Sequence, residues 1–475
     1  MKTFGELLRE YIEKSGFTIY QFANISGVNR VNIQRYLADQ RFPSPDIYEI
    51  LRSHLQLRPS EQQKLETSYE MSRIGKTRYL QRAAVKKLIE SATLIYESER
   101  QMPACFGKSP DSVLHVAPHC PNGVCAVSGS LNACHLFQAE LTRTVLSHED
   151  PHAGLFLPAK PEHNLLNTSL TILAPHQDHP IQITQIFPMA KAQADFDGHN
   201  LDVIAAVLPL CFSARFRYQA LFYYDDCLSD KNYGLLYPYY AIFPDSLLLF
   251  SQDMENALLC QDKTMVGLYQ TQFDHHLRHC SKIIDPVRPF SGPAHILSYY
   301  PCLTALNEPE KADLLLWEDM EKQEIFPHAA SGQFPDWQDP DEWHCHYFTE
   351  QGLMEFAKTG VLMELPPSLT QPLPPRHRLI FLNRLREICS EAHTFLYLIN
   401  SDAFRVPPCL NLIVTERNAS LFHLIGCPDE RAVSIRETGI CLALADFLVS
   451  LPDSPYIYTK SQSLEIINRA IRQIT

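Results

Sequence analysis

The chain has 475 residues, too many for one small core, and its 45% hydrophobic and 20% charged residues exclude wholesale disorder. Its formal net charge of −13 is uneven: residues 1–100 carry 16 Lys and Arg against 12 Asp and Glu, and the remainder carries 25 against 42. A mildly basic head on an acidic body fits a nucleic-acid-binding module joined to a region that repels nucleic acid.

Residues 1–58 read as short helices. Phe4, Leu7, Leu8, Tyr11 and Ile12 recur at helical spacing, with Gly16 as the stop. Thr18 is a good N-cap for a second helix carrying Ile19, Phe22 and Ala23, which ends near Gly27. Asn29 can cap a third helix with Ile33, Tyr36 and Leu37 inward, and Phe42-Pro43-Ser44-Pro45 forces a turn before a fourth with Ile47, Ile50, Leu51 and Leu55. Residues 59–100 predict two amphipathic helices broken near Gly75. Their apolar Leu65, Tyr69, Tyr79, Leu80, Val85, Leu88 and Ile89 exceed what a solvated linker needs, so a subunit contact is expected here.

Residues 101–130, with Pro103, Pro110, Pro118 and Pro121, read as a linker or long loop. Over 131–290 a helix at 131–147 is followed by strands at Leu170–Leu173, Ile181–Phe187, Tyr218–Tyr224, Tyr239–Phe243 and Leu247–Phe250, with helices near 200–208 and 263–279. Over 291–475 a helix at 376–391 precedes strands near 394–399, 410–415 and 420–425 and a helix at 438–450. The expected fold is multidomain: an all-α N-terminal helix-turn-helix domain followed by mixed α/β (α+β) regions, without an internal repeat.

No stretch reaches the roughly 18 uncharged apolar residues of a membrane span; the longest attempt, Val203–Phe212, contains Pro209. Glu6, Arg9, Glu10 and Glu13 interrupt any signal-peptide core. A cytoplasmic location without a membrane partner is therefore expected, where the 14 cysteines, lacking a CxxC pair, are reduced thiols.

Residues 16–45 meet the needs of a helix-turn-helix, in which one helix crosses the phosphates and a second sits in the major groove. Ala23 is small where the helices cross, Gly27 suits a turn residue with positive φ, and Val28 and Ile33 plug into the core. With Ile33 and Tyr36 inward, Arg30, Val31, Asn32 and Arg35 turn toward the groove. Arg suits guanine, Asn adenine, and Val31 a thymine methyl. Thr18, Gln21, Asn29, Gln34, Gln40 and Arg41 are placed for phosphates, which position without specifying.

On these residues, down to Arg35-Tyr36-Leu37 and Arg41-Phe42-Pro43-Ser44, the head resembles the Cro/repressor-type (Xre-like) helix-turn-helix family. It departs at Asp39, where that family usually has Gly or Asn, and at Val31, often a polar base-reading position. Residues 59–100 and Tyr237–Leu277 are similar to large bacterial regulators, which implies an appended sensor or assembly region. The resemblance implies a transcriptional regulator that binds double-stranded DNA as a homodimer. Its body would sense an unidentified small-molecule or peptide effector, with the aromatics Phe222, Tyr223, Tyr224, Tyr233, Tyr237, Tyr239, Tyr240 and Phe243 as the first place to look. The same aromatics also suffice as core packing.

Enzyme chemistry finds less support. His148-Glu149-Asp150-Pro151-His152 matches HExxH, but Pro151 and Gly154 favour a helix end or loop over the helix that a zinc protease needs. His115, His119, Cys120, Cys125, Cys134 and His135 are dense in soft ligands without a known spacing. His275 and His279, beside Asp274, His276 and Cys280, are one helical turn apart, yet cations suit a helix C-terminus in any case. Trp343-His344-Cys345-His346 is suggestive only by density. Neither GxGxxG, GxxxxGK nor GxSxG occurs. No catalytic residue, metal site or cofactor is expected; the alternative is an enzyme or metal-binding protein with an autoregulatory helix-turn-helix.

Overall fold

The computed structural model describes residues 2–101, 123–158, 165–166, 180–191, 198–212, 217–225, 236–287, 346–361, 372–390, 396–406, 410–414, 420–424, 431–435 and 437–474. The expected strand at Leu170–Leu173, Tyr233, His115, His119, Cys120 and Trp343–Cys345 lie outside them. The chain forms two compact units, one built from residues up to Ala83 together with Gly198 and the other from the remaining residues from Ala84 onward. The N-terminal region is helical and the later region mixes helices with strands, a multidomain α+β arrangement.

In the first unit α1 (Phe4–Lys14) begins at a complete capping box: Glu6 N–H donates to Thr3 Oγ1, and Thr3 N–H donates to the Glu6 carboxylate. Next come α2 (Ile19–Ser26), α3 (Arg30–Leu37), α4 (Pro45–Ser53) and α5 (Pro59–Ile74). One core joins Phe4, Leu8 and Ile12 of α1 to Phe22 of α2, Ile33 of α3, Leu51 of α4 and Leu65 and Tyr69 of α5. The Tyr48 and Tyr69 rings stack at 4.1 Å, and the Tyr69 hydroxyl donates to the Pro43 carbonyl at 2.9 Å. Burial pushes the Tyr69 phenol up to about 12.

Five of the seven apolar residues named for 59–100 are covered within the chain itself. Leu65 and Tyr69 face their own unit's core, covered by α1 and α4. Helix α6 (Lys76–Gln101) has Val85, Leu88 and Ile89 buried as well. Within the second unit Lys86 lies over the Phe404 and Tyr456 rings, and the Glu90 carboxylate accepts from Arg405 N–H. Leu80 of α6 is 38% exposed; periodicity shows that a face is apolar but not what covers it.

The second unit is built on an eight-stranded sheet ordered β1-β7-β6-β5-β2-β3-β4-β8. Its strands are β1 (Val124–Ser128), β2 (His152–Phe156), β3 (Gln182–Met189), β4 (Arg217–Tyr224), β5 (Tyr239–Phe243), β6 (Ser246–Phe250), β7 (Asn256–Cys260) and β8 (Ser281–Lys282). β2, β3 and β4 pair in parallel and the other neighbours antiparallel. Period-two alternation serves two apolar layers. Ala241, Phe243, Leu248 and Phe250 face α7 (Ser130–Ser147) and α8 (His199–Phe212), whereas Tyr240, Ile242 and Leu247 face α9 (Lys263–Leu277). β1 takes 124–128 out of the loop expected over 101–130, and residues 102–122 lie outside the described ones.

Beyond it lie β9 (Ile284–Val287), β10 (His346–Thr349), α10 (Glu350–Thr359), α11 (Pro375–Ser390), β11 (Leu396–Ile399), β12 (Leu410–Val414), β13 (Ser420–Leu424), β14 (Arg431–Ile435), α12 (Thr438–Ser450) and α13 (Lys460–Ile474). β12, β13, β14 and β9 form an antiparallel sheet, and β10 pairs with β11 in parallel. Phe356, Phe381, Leu385, Leu398 and Ile467 tie α10, α11 and α13 to that pair. Glu437 joins two of these layers: buried at 3% exposure, it caps α12 through Ile440 N–H at 2.7 Å and accepts from the Tyr224 hydroxyl at 2.8 Å.

Candidate nucleic-acid interface

Three residues separate α2 from α3, and each end is chemically fixed. At the start of α2, Gln21 N–H donates to Thr18 Oγ1, while Thr18 N–H and its hydroxyl donate to Gln21 Oε1. At its end Gly27 takes φ 68°, the left-handed conformation the turn needs. The buried Ser26 hydroxyl donates to the Phe22 carbonyl and accepts from Val28 N–H, holding the corner as Val28 turns inward. Asn29 Oδ1 then accepts from Val31 N–H at 2.8 Å and starts α3.

Ile33, Tyr36 and Leu37 are buried, and Arg30, Val31, Gln34, Arg35 and Ala38 are exposed. At 100° per residue the exposed set spans a continuous arc of about 140°, in the order Arg30, Gln34, Ala38, Val31, Arg35. Two guanidiniums therefore flank a 52%-exposed Val31 on one convex face. Asn32 falls beyond this arc and is half-buried. Gln40 and Arg41 are exposed in the turn after α3. Thr18, Gln21 and Asn29 are exposed too, but their side-chain oxygens serve the helix caps.

Tyr20 and Ile25 of α2 are 61% and 48% exposed and were not singled out from sequence. Their signal was present: large apolar residues on the outer face of a helix whose inner face is already filled by Phe22 and Ala23. On α1, the Glu10 carboxyl is held down at about 2 by hydrogen bonds from Lys14 and then Lys2.

The remaining motifs resolve otherwise. α7 ends at Ser147; His148 is extended (φ −127°, ψ 140°) and hydrogen-bonded to Asp245 at 3.0 Å, and His152 opens β2. The HExxH histidines thus do not share a helical face. Cys125 lies on β1, and Cys134 and His135 on α7. The His275 and His279 rings meet edge to face at 5.3 Å. Among the described residues no three His, Cys, Asp or Glu side chains are grouped to hold a metal ion. The described aromatics of 222–243 divide between the sheet's faces: Tyr239 and Phe243 pack toward α7, while Tyr240 packs on Tyr269 and Phe273 of α9. Tyr223 shares the α9 side with Tyr240, and the Phe222 and Tyr224 rings meet edge to face at 5.2 Å. The sequence did not disclose Glu140, buried on α7 and bonded to Arg143 and Ser246 from the β5–β6 corner.

No helix among the described residues is long and apolar enough to cross a membrane. No family model matches the chain, and no curated protein matches it. Among solved structures it is similar to TrmBL2, an archaeal chromatin protein described as showing a novel mode of DNA binding. The TM-score is 0.23 at 13% identity, over 59% of this chain and 98% of that one. A superposition this loose does not establish a shared fold.

Proposed function

We propose that the chain is a sequence-specific DNA-binding transcriptional regulator whose α3 enters the major groove. The observation that carries this reading is the α3 face: Arg30, Val31 and Arg35 exposed on one arc, opposite a buried Ile33, Tyr36 and Leu37. Arg30 and Arg35 suit the O6 and N7 acceptors of guanine, Val31 suits a thymine methyl, and Arg41 and Gln40 meet the flanking phosphates. The resemblance of residues 16–45 to Cro/repressor-type proteins supports the same assignment.

One such head buries little surface, so useful affinity calls for two heads on two half-sites. The head therefore acts as a homodimer, through a surface other than Leu65, Tyr69, Val85, Leu88 and Ile89, which are buried within the chain. Sedimentation of the full chain with and without duplex checks it; a single head bound per duplex at micromolar protein contradicts it. The acidic body, facing a polyanion with like charge, contributes signal or assembly.

The test is capture of fragmented genomic DNA by the full chain, beside an Arg30→Ala/Arg35→Ala double variant. The wild type is expected to enrich a set of fragments sharing a sequence element, and the variant to lose that set. No enrichment by the wild type, or equal enrichment by both, refutes the reading.

A further inference from the structure

We propose that Asp39 is a positioning residue for the DNA-reading helix, acting through the first turn of α1; this rests on the DNA-binding reading of α3. The C-terminus of α3 closes as a Schellman motif, with Gln40 N–H donating to the Arg35 carbonyl at 3.0 Å and Asp39 N–H to the Tyr36 carbonyl at 3.1 Å. Asp39 occupies the left-handed position of that motif at φ 53°, where glycine would fit without strain. A side chain kept there has a use. Asp39 Oδ1 accepts from Gly5 N–H at 2.8 Å, across 34 residues of sequence.

Gly5 is the second residue of α1, so its N–H has no partner within the helix, and an anion there is also favoured by the helix dipole. Thr3 already serves Glu6 N–H, and Asp39 serves Gly5. The backbones approach so closely that a Cβ on Gly5 would lie 2.7 Å from the Leu37 carbonyl oxygen and 2.8 Å from that of Tyr36. A bare glycine and a carboxylate from the far side thus pin the end of α3 onto α1. The exposed Gln40 and Arg41 leave directly from that pin, so it sets both the tilt of α3 and the reach of the phosphate-facing turn.

The carboxylate contact separates from the backbone requirement in two variants. Asp39→Gly keeps the left-handed turn and removes the acceptor; Asp39→Asn keeps the turn and an amide oxygen. In the full chain, hydrogen exchange at the Gly5 amide should accelerate about tenfold or more in Asp39→Gly and little in Asp39→Asn. Affinity for the duplex most enriched by the wild type from genomic fragments should fall about tenfold in Asp39→Gly. Affinity for an unrelated duplex of equal length should change less than about threefold, because phosphate contacts tolerate misalignment. Asp39→Asn should restore the specific-to-unrelated ratio, a quantity that mere loss of fold would not move selectively, and far-ultraviolet dichroism checks the helices. Unchanged Gly5 exchange in Asp39→Gly overturns the link; accelerated exchange with an unchanged affinity ratio overturns the positioning role. A wild-type chain that enriches no duplex overturns the DNA reading and the positioning role together. The Gly5 exchange difference would survive that failure, so the two are told apart.

Discussion

Gly154→Ala probes the packing of the second unit at its most crowded point. Gly154 lies in β2, opposite Thr184 of β3 and Ile242 of β5, and the Phe273 ring of α9 rests on its α-carbon. A methyl group there would sit 2.8 Å from Phe273 Cε1 and 3.1 Å from Cδ1 and Cζ, where ordinary contact begins at 3.4 Å. The ring would have to withdraw by about 0.6 Å against a close-packed interior. Phe273 is buried among Ile186, Ile242, Tyr240 and Val266, so its retreat moves α9. Overpacking of this kind costs about 1–3 kcal/mol, and alanine recovers about 0.5–1 kcal/mol by restricting the unfolded chain. The net expectation is destabilisation, centred on about 1 kcal/mol within a span of about 0–2.5 kcal/mol. Because two units need not unfold together, the assay is hydrogen exchange of the peptide covering Lys263–Leu277, in the full chain under native conditions. Adding Phe273→Leu should relieve the crowding, so the double variant should lose about 1 kcal/mol less than the two singles combined. Unchanged α9 exchange in Gly154→Ala, or strict additivity, refutes the packing account.

Three other outcomes are expected. Glu10, displaced from 4.5 to about 2 in the fold, stabilises the head above its unfolded value, and that contribution is lost as pH falls through the folded one. Acid titration of α1 exchange should therefore show a loss between about pH 5 and pH 2 that Glu10→Gln and high salt abolish; a Glu10→Gln curve matching wild type contradicts it. Tyr224→Phe leaves buried Glu437 short of one donor, at a cost of about 1–3 kcal/mol read as faster exchange over Thr438–Ser450. In the wild type, where burial and the Glu437 hydrogen bond raise the Tyr224 phenol to about 12, this contact should weaken as pH rises from 10 toward 12. A protection factor over α12, taken relative to the base-catalysed exchange of an unfolded chain at each pH, that stays constant from pH 10 to 12 refutes that link. Ile33→Ala, which empties a fully buried site beneath α3, should cost about 2–5 kcal/mol and increase exchange throughout residues 1–74. Protection lost over α3 alone would show that the head lacks a common core.

The head was legible because its signals are local. Thr18, Gly27 and Asn29 each act within three residues of themselves, and the 3.6-residue spacing of Ile33, Tyr36 and Leu37 fixes which face of α3 is covered. Asn32 stands at the border of that face, where periodicity cannot separate half-buried from exposed. The strands at β4, β5 and β6 showed in their aromatic and leucine runs, whereas β2 was hidden by Pro151 and Gly154, residues that serve entry into a strand and room for a ring. The Asp39–Gly5 bond, the cover over Leu65 and Tyr69, and the Tyr224–Glu437 contact all join residues far apart in sequence. Such pairings follow from tertiary packing and leave no periodic trace.

The central claim is that α3 reads base edges through Arg30 and Arg35. It is tested most directly by measuring, at one fixed salt concentration, the affinity of the full chain and of its Arg30→Ala and Arg35→Ala variants for the enriched duplex and for an unrelated one. Each variant is predicted to lose about 1–3 kcal/mol on the enriched duplex, to lose much less on the unrelated one, and to keep wild-type protection across α1 to α4. Unchanged affinity of both variants for the enriched duplex, with the fold intact, would contradict the account.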